Sequence, residues 1–97
     1  KFSQRKISKV AIHFANGIIE KWVKEEKMSS HDCARKLSVP TMRPYISQTL
    51  SNSTESDKNI YNNLKLMSKT IKYCELKGIE IVKPFKSHFE KLKSLSK

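Results

Sequence analysis

The chain has 97 residues, of which 37% are hydrophobic and 30% charged, and its 20 Lys and Arg residues against 9 Asp and Glu residues give a net charge of +11. This length fits one domain, and the composition excludes both a disordered polar chain and, since no apolar run approaches about 20 residues, a membrane-spanning helix. So high a charge on so short a chain repels itself unless a polyanion neutralises it, which favours nucleic acid, an anionic membrane surface or an acidic protein as the partner.

The first predicted element is one long helix over residues 3–27, with Ser3 as its N-cap. Gly17 lies inside this helix, where glycine costs about 1 kcal/mol relative to alanine and leaves room for a close helix contact or a bend. Apolar residues recur along the helix at spacings of three and four and form one buried stripe. This stripe consists of Ile7, Val10, Ala11, Phe14, Ile18 and Trp22.

Two shorter helices are predicted next, over residues 30–37 and from residue 41 to about residue 50. Ser29, or the serine after it, caps the first of them, and Asp32 takes the acidic position of a capping box. Val39 precedes Pro40, and a residue before proline is restricted to extended backbone, so this helix ends there. Thr41 is expected to cap the next helix, whose buried face repeats every four residues. The two core faces contain Cys33, Ala34 and Leu37, and Met42, Ile46 and Leu50.

The C-terminal half is predicted to hold a polar loop and two further helices. Residues 51–57, SNSTESD, lack apolar side chains and are expected to be flexible. A helix over residues 58–76 has an apolar seam that packs on the first helix or on a coiled-coil partner, and Gly78 ends it. Residues 79–82 form a short strand, a wing remnant or an extended linker, and Pro84 begins a last helix that reaches Leu95. The whole pattern predicts an all-α, compact five-helix domain over residues 1–97, with the strand near 79–82 as an option.

Between Ser29 and Ser51, a small residue in one helix, two apolar residues around a turn and two core residues in the next helix form a recognisable pattern. They are Ala34, Leu37, Val39, Ile46 and Leu50. This segment resembles helix-turn-helix DNA-binding domains. In that family the second helix lies in the major groove of DNA and the first crosses the DNA backbone. The match departs from the family at Ser38, because the turn position there often holds glycine.

The resemblance implies a set of DNA-contacting side chains. On the third helix, Arg43 suits a bidentate contact with guanine and Gln48 one with adenine. Thr41 and Ser47 can donate to a phosphate or a base edge, although a merely solvated side chain is the favoured interpretation of Ser47. Contacts with the DNA backbone are expected from the second helix, from one tyrosine and from a basic N-terminal cluster. These residues are Ser30, His31, Arg35, Lys36, Tyr45, Arg5, Lys6 and Lys9.

Patterns that would indicate an enzyme are missing from the sequence. It has no Gly-rich phosphate loop and no arrangement of paired carboxylates, so neither catalysis nor a cofactor is expected. His31 and Cys33 are two apart on a predicted helix and face different directions, which argues against a metal site. Cys33 and Cys74 form no CxxC motif, and a secreted domain of this size usually has more disulfides. We therefore expect two free thiols and a cytoplasmic location, with the nucleoid as the site in a bacterium.

These patterns predict a sequence-specific DNA-binding transcriptional regulator with no membrane partner and no small-molecule substrate. We expect a homodimer, because one helix-turn-helix buries too little surface for tight specific binding. The alternative is a helical interaction module, an adaptor or inhibitor whose charge steers it to an acidic protein. A third hypothesis, an RNA-binding accessory domain of a longer protein, stays open because the chain begins at Lys1 rather than at Met.

Overall fold

A computed structural model describes residues 2–95, so Lys1, Ser96 and Lys97 of the predicted domain lie outside the described residues. No strand is present in residues 2–95, which confirms the all-α class. These residues form six α-helices rather than five, together with three short 3-10 helices, at Phe2–Gln4, Pro40–Met42 and Ile60–Asn62. The α-helices are α1 Lys6–Ala15, α2 Ile18–Glu25, α3 Ser30–Lys36, α4 Arg43–Ser51, α5 Leu64–Lys77 and α6 Lys83–Leu95.

The sixth helix arises because the predicted first helix is broken at Gly17. This residue has φ +84°, a left-handed conformation that interrupts an α-helix and favours glycine. The Asn16 side chain then accepts a hydrogen bond from the Ile18 backbone N–H at 3.0 Å, at the start of α2. Across the break, the Val82 N–H donates to the Ala15 carbonyl at 2.8 Å. The prediction of a single long helix was therefore wrong. The apolar periodicity continues across the break at Gly17, and the segment that contains Val82 packs against the end of α1 there.

Ser3 is also not the N-cap that the sequence predicts. It lies within the first 3-10 helix, and α1 begins after Arg5, whose side chain makes no capping hydrogen bond. At α3, by contrast, the predicted capping box is confirmed. The Ser29 hydroxyl accepts from the Asp32 N–H at 3.1 Å, and the Asp32 carboxylate accepts from the Ser29 N–H at 3.4 Å. Such a box satisfies two backbone donors that the helix itself leaves free.

The turn between α3 and α4 is a Schellman motif. Ser38 has φ +62° and donates its N–H to the Arg35 carbonyl, and the Val39 N–H donates to the Ala34 carbonyl at 2.8 Å. A serine thus occupies the left-handed position that glycine usually takes. Thr41 does not cap α4 as predicted, because it lies within the 3-10 helix that precedes Arg43. Pro40 begins this 3-10 helix, and α4 therefore starts at Arg43, two residues after the predicted start at residue 41.

Asparagine side chains order the connection between α4 and α5. Asn59 is fully buried, and its amide donates to the Asn52 side chain and the Ser53 carbonyl while its oxygen accepts from the Tyr61 N–H at 2.9 Å. The amide of Asn62 donates to three backbone carbonyls of the polar segment 51–57, including that of Ser53. The predicted helix start at residue 58 is wrong, since α5 begins only at Leu64. The local reason is that asparagine side chains compete for backbone N–H groups and favour turns over helix interiors.

Residues 79–82 form an extended connector rather than a strand. Gly78 ends α5 with φ +69°, as the sequence predicts, and α6 begins at Lys83, one residue before Pro84. Val82 bonds to the end of α1, and Ile81 is buried in the core. The segment has no neighbouring strand within residues 2–95 with which to build a sheet.

One cluster of buried side chains joins all six α-helices. Helix α1 is central and packs against α2, α4, α5 and α6, so the apolar seam of α5 faces this helix. Tyr61 lies between aromatic neighbours, edge-on to Phe14 and Phe85 and stacked on His88 at 3.8 Å between ring centroids. The radius of gyration, 12.5 Å, is typical of a folded chain of this length. No helix within residues 2–95 is long and apolar enough to span a bilayer.

Candidate nucleic-acid interface

Helix α4 has one buried and one solvent-facing side. Ile46 and Thr49 are buried in the core, and the Thr49 hydroxyl accepts a hydrogen bond from the Ile60 N–H at 3.0 Å. On the other side, side chains four residues apart on a helix lie next to each other. Together with the preceding 3-10 turn they line a shallow groove of about 480 Å³. We call this surface the α4 face, and it consists of Pro40, Thr41, Arg43, Pro44, Ser47 and Gln48.

All four side chains predicted to contact bases lie on the α4 face. Thr41, Arg43 and Ser47 are exposed, and Gln48 is half-buried. No hydrogen bond or ion pair within residues 2–95 engages the Arg43 guanidinium, so its five donors are free for a ligand. Tyr45, predicted to contact the DNA backbone, is half-buried on α4 and does not line this groove.

The packing of α3 against α4 fixes the direction of the α4 face. Ala34 and Val39 are buried, so the two helices meet closely at one end and an apolar side chain anchors the turn between them. Leu37 and Leu50 are partly buried and pack against the same core. The five residues that carry the helix-turn-helix resemblance therefore all belong to the core or to its edge. Their burial leaves the polar side chains of α4 directed outward.

The basic residues at the end of α3 are exposed but not equally free. Arg35 is solvent-exposed. The Lys36 Nζ lies 3.9 Å from a carboxylate oxygen of Glu26 and 4.9 Å from the centre of the Trp22 ring. Such an exposed ion pair contributes about 1 kcal/mol or less, so a phosphate could compete for the ammonium group.

The other end of α3 is less suited to a phosphate. Asp32 completes the capping box there, and its carboxylate brings negative charge to the first turn of the helix. A phosphate bound by the backbone N–H groups of Ser30 and His31 would be repelled by this carboxylate. These two residues are therefore not among the phosphate contacts that we propose.

The predicted basic cluster at the N-terminus is divided between two surfaces. Lys9 and Lys36 line one groove of about 510 Å³ between α1 and the end of α3. Arg5 instead lines a separate cavity between α1 and α5, whereas Lys6 is exposed on α1 and lines neither. The preceding 3-10 helix is packed, since the ring of Phe2 lies 5.6 Å from that of Tyr73. The structure thus brings together basic residues of α1 and α3 that are remote in sequence.

Sequence reasoning missed the residues that surround Arg5. Lys65 and Lys69 of α5 line the same cavity, although the sequence suggests only unspecific surface charge for them. Ser8 lines it as well and is buried within α1. The spacing of four between the two lysines does predict a shared helix face. No sequence pattern predicts that this face meets the first turn of α1.

Neither a reactive thiol nor a metal site is found in the described part of the chain. Cys33 and Cys74 are free and buried, and burial raises the pKa of both thiols, which keeps them protonated and poorly reactive. Within residues 2–95, no group of three His, Cys, Asp or Glu side chains is placed to hold a metal ion.

Comparisons of the chain with known protein families, curated proteins and solved structures gave no match. The surfaces of the chain itself are therefore what indicates its function. The α4 face carries polar side chains of the types that read base edges, and a separate groove carries Lys9 and Lys36. Both occur on a chain with a net charge of +11.

Proposed function

We propose that the protein is a sequence-specific DNA-binding transcriptional regulator in which α3 and α4 act as a helix-turn-helix and α4 enters the major groove. The observation that carries the proposal is the α4 face, an exposed polar surface with an unpaired arginine on a helix whose opposite side is buried. Helices of this kind contact base edges through residues near their N-terminus. Arg43 is the first residue of α4.

The side chains of the α4 face match the chemistry of base pairs. The guanidinium of Arg43 can donate two parallel hydrogen bonds to guanine, and the amide of Gln48 can pair with the edge of adenine. A rise of 1.5 Å per residue separates the two residues by about 7.5 Å along α4. This distance corresponds to about two steps of 3.4 Å between base pairs. The two residues therefore address nearby base pairs, with Thr41 and Ser47 as further donors.

The remaining charge supplies affinity without specificity. Lys9 and Lys36, which share a groove, are the proposed main contacts with phosphates, and Arg35, Lys6 and Tyr45 are additional ones. Each neutralised phosphate releases counterions from the DNA, so binding weakens steeply as salt increases. The Glu26 carboxylate near one of these lysines is exposed, so their ion pair contributes about 1 kcal/mol or less and a phosphate can replace it.

A homodimer is part of the proposal, and α6 is the surface that suits it. The α5 seam packs mostly into the core, where Met67 and Cys74 are fully buried, so it is not available to a second chain. On α6, Phe89 and Leu92 are half-buried and Leu95 is 72% exposed. Two copies that pair through this stripe would offer two α4 faces to two half-sites.

The test begins with selection of bound sequences from random duplex DNA. The affinities of wild type, Arg43→Ala and Lys36→Ala for the selected and a random duplex are then measured by fluorescence anisotropy over a salt series. Arg43→Ala should lose roughly 10- to 100-fold in discrimination between the two duplexes, since a bidentate base contact contributes about 1–3 kcal/mol. Lys36→Ala should weaken binding to both duplexes alike, and the slope of log affinity against log salt concentration should decrease in magnitude by about 1. Lys58→Ala, an exposed charge outside both the α4 face and α6, is the matched control.

Equal losses of Arg43→Ala on selected and random DNA would refute the role of the α4 face. If no duplex binds even at low salt while an acidic protein does, the adaptor or inhibitor hypothesis replaces this one. Preference for RNA over DNA of matched length and sequence would favour the accessory RNA-binding domain. Enrichment of inverted repeats in the selection is the result expected for the homodimer.

A further inference from the structure

A cavity of about 230 Å³ lies between the first turn of α1 and the first turn of α5, away from the α4 face. This volume is several times the roughly 30 Å³ that one water molecule occupies in the liquid, so a small polyatomic ion fits. We call it the α1–α5 cavity. Its polar and aromatic lining consists of Phe2, Arg5, Ser8, Asn63, Lys65 and Lys69.

The feature that points to a ligand is the hydroxyl of Ser8. This side chain is 1% exposed, and its oxygen has no hydrogen-bond partner within the described residues. Buried hydroxyls without a partner are rare in folded proteins, because they lose their bonds to water and gain nothing in return. A ligand that accepts a hydrogen bond at the cavity would satisfy this donor.

Two helix N-termini border the same cavity. Helices α1 and α5 have no acidic residue in their first turns, so nothing in them offsets the positive ends of the two helix dipoles. No side chain caps α1, and Asn63 caps α5 by accepting one hydrogen bond from the Leu66 N–H at 3.0 Å. The other first-turn N–H groups are left for an acceptor. Both ends therefore favour an anion.

The charged side chains of the lining are all cationic. Arg5, Lys65 and Lys69 are exposed at the cavity, and no acidic residue lines it. None of the three is engaged in an ion pair within residues 2–95. Three cations, a buried hydroxyl donor and two helix ends match an anion of high charge that accepts several hydrogen bonds.

We propose that the α1–α5 cavity binds the phosphate of a phosphate monoester whose organic group is aromatic, as in a nucleoside 5′-monophosphate. The aromatic part follows from a neighbouring groove of about 450 Å³, which shares Phe2, Arg5 and Lys69 with the cavity and adds Tyr73. The rings of Phe2 and Tyr73 lie 5.6 Å apart, and aromatic faces bind bases by stacking. The inference goes beyond the proposed DNA binding and does not depend on it.

The first experiment titrates the ¹⁵N-labelled protein with inorganic phosphate against sodium chloride at matched ionic strength and follows backbone amide shifts by NMR. Shifts specific to phosphate should concentrate on the amides around Ser8, Asn63 and Lys65. Lys69→Ala should weaken phosphate binding roughly 10-fold, as expected for the loss of a charge-assisted hydrogen bond. Lys86→Ala removes a charge from α6 and should leave the affinity unchanged. Shifts spread over all surface lysines, or equal affinities of these two variants, would overturn the proposal.

Ser8→Ala separates binding from a structural role. In phosphate-free buffer the variant should be at least as stable as wild type, because it removes a hydroxyl that has no partner. Phosphate should then raise the melting temperature of wild type more than that of the variant. The hydroxyl would instead be shown to stabilise the fold and not to bind a ligand if the variant had a lower melting temperature than wild type without phosphate and the same increase in melting temperature with it.

The last arm compares AMP with inorganic phosphate and with adenosine. Tighter binding of AMP than of either supports the aromatic part of the site, and equal affinities of AMP and phosphate overturn that part. A single strand with a 5′-phosphate is then compared with its 5′-hydroxyl form to find the source of the group. Preference for the phosphorylated strand supports a strand end as the ligand, whereas no preference alongside AMP binding supports a free nucleotide. No arm uses duplex DNA, so the result is independent of the α4 face.

Discussion

Replacing Gly17 by alanine is a sharp test of the break between α1 and α2, because the two possible structures give opposite signs. In one continuous helix the substitution would stabilise the protein by about 1 kcal/mol, the difference in helix propensity. In the observed structure the residue has φ +84°, and a Cβ atom on it would lie 2.8 Å from Cγ1 of Val82. The Gly17→Ala variant should therefore be less stable than wild type.

The magnitude follows from three contributions. A left-handed conformation costs an L-residue about 1–2 kcal/mol, and an extra methyl group forced into a packed contact costs about 1–3 kcal/mol. Alanine also restricts the unfolded chain, which returns about 0.4–1 kcal/mol. The net loss for Gly17→Ala is about 1–5 kcal/mol, with a central value of about 3 kcal/mol. Gly78 is a matched control with φ +69° and no atom within 4 Å of its Cβ position, so Gly78→Ala should cost only about 1 kcal/mol.

Urea unfolding followed by circular dichroism and by the fluorescence of Trp22 measures both variants. Each kcal/mol corresponds to roughly 4–8 °C in melting temperature for a domain of this size. In a Val82→Ala background the loss caused by Gly17→Ala should shrink, because the clashing methyl group is gone. A Gly17→Ala variant that is as stable as wild type would refute the break, and one that is no less stable than Gly78→Ala would refute the contact with Val82.

Asn59→Ala should lower the free energy of unfolding by about 2–3 kcal/mol, because it leaves the buried Tyr61 N–H without a partner and removes one donor each from the Asn52 side chain and the Ser53 carbonyl. Asn62→Ala removes an exposed amide that donates to three loop carbonyls, and because water can replace an exposed donor it should cost about 1 kcal/mol or less. Equal urea midpoints for the two variants would contradict the role of the buried amide. His88 stacks on Tyr61, and burial lowers its pKa, so the unfolded state binds the proton more tightly than the folded state does. Stability should be fully present above the unfolded pKa of about 6.5 and decrease as the pH falls from there through the lower pKa of the folded state. Urea midpoints at about pH 7.5 and about pH 5.5 should therefore differ less in His88→Phe than in wild type. An unchanged pH dependence in that variant would exclude the histidine as its source.

Short-range signals were sufficient where one or two neighbouring residues decide the backbone. Two such features, the capping box of Ser29 with Asp32 and the helix end at Gly78, were predicted and are present. The turn at Val39 was predicted as well, and Ser38 takes the left-handed conformation at the position where the family often has glycine. These features depend on hydrogen bonds and steric limits within about four residues. A sequence contains that information directly.

The candidate sites depend on the sequence to different degrees. Helical periodicity assigned Ile46 to the core side of α4, and this left Arg43, Ser47 and Gln48 for the outer side. The exposed composition of the α4 face was thus predictable from the sequence, because one helix carries most of it. Substitutions of these side chains test the DNA binding that we propose.

What the sequence alone determined is the helical class, most of the buried positions and the local ends of several helices, because apolar periodicity and capping act within one segment. Only the tertiary structure decided the break at Gly17, where Val82 approaches from the far end of the chain. It also decided that Ser8 is buried beside Lys65 and that Asn59 holds the carbonyl of Ser53. These contacts join segments through packing, and the free energy of packing depends on which helix faces meet, which no local pattern contains.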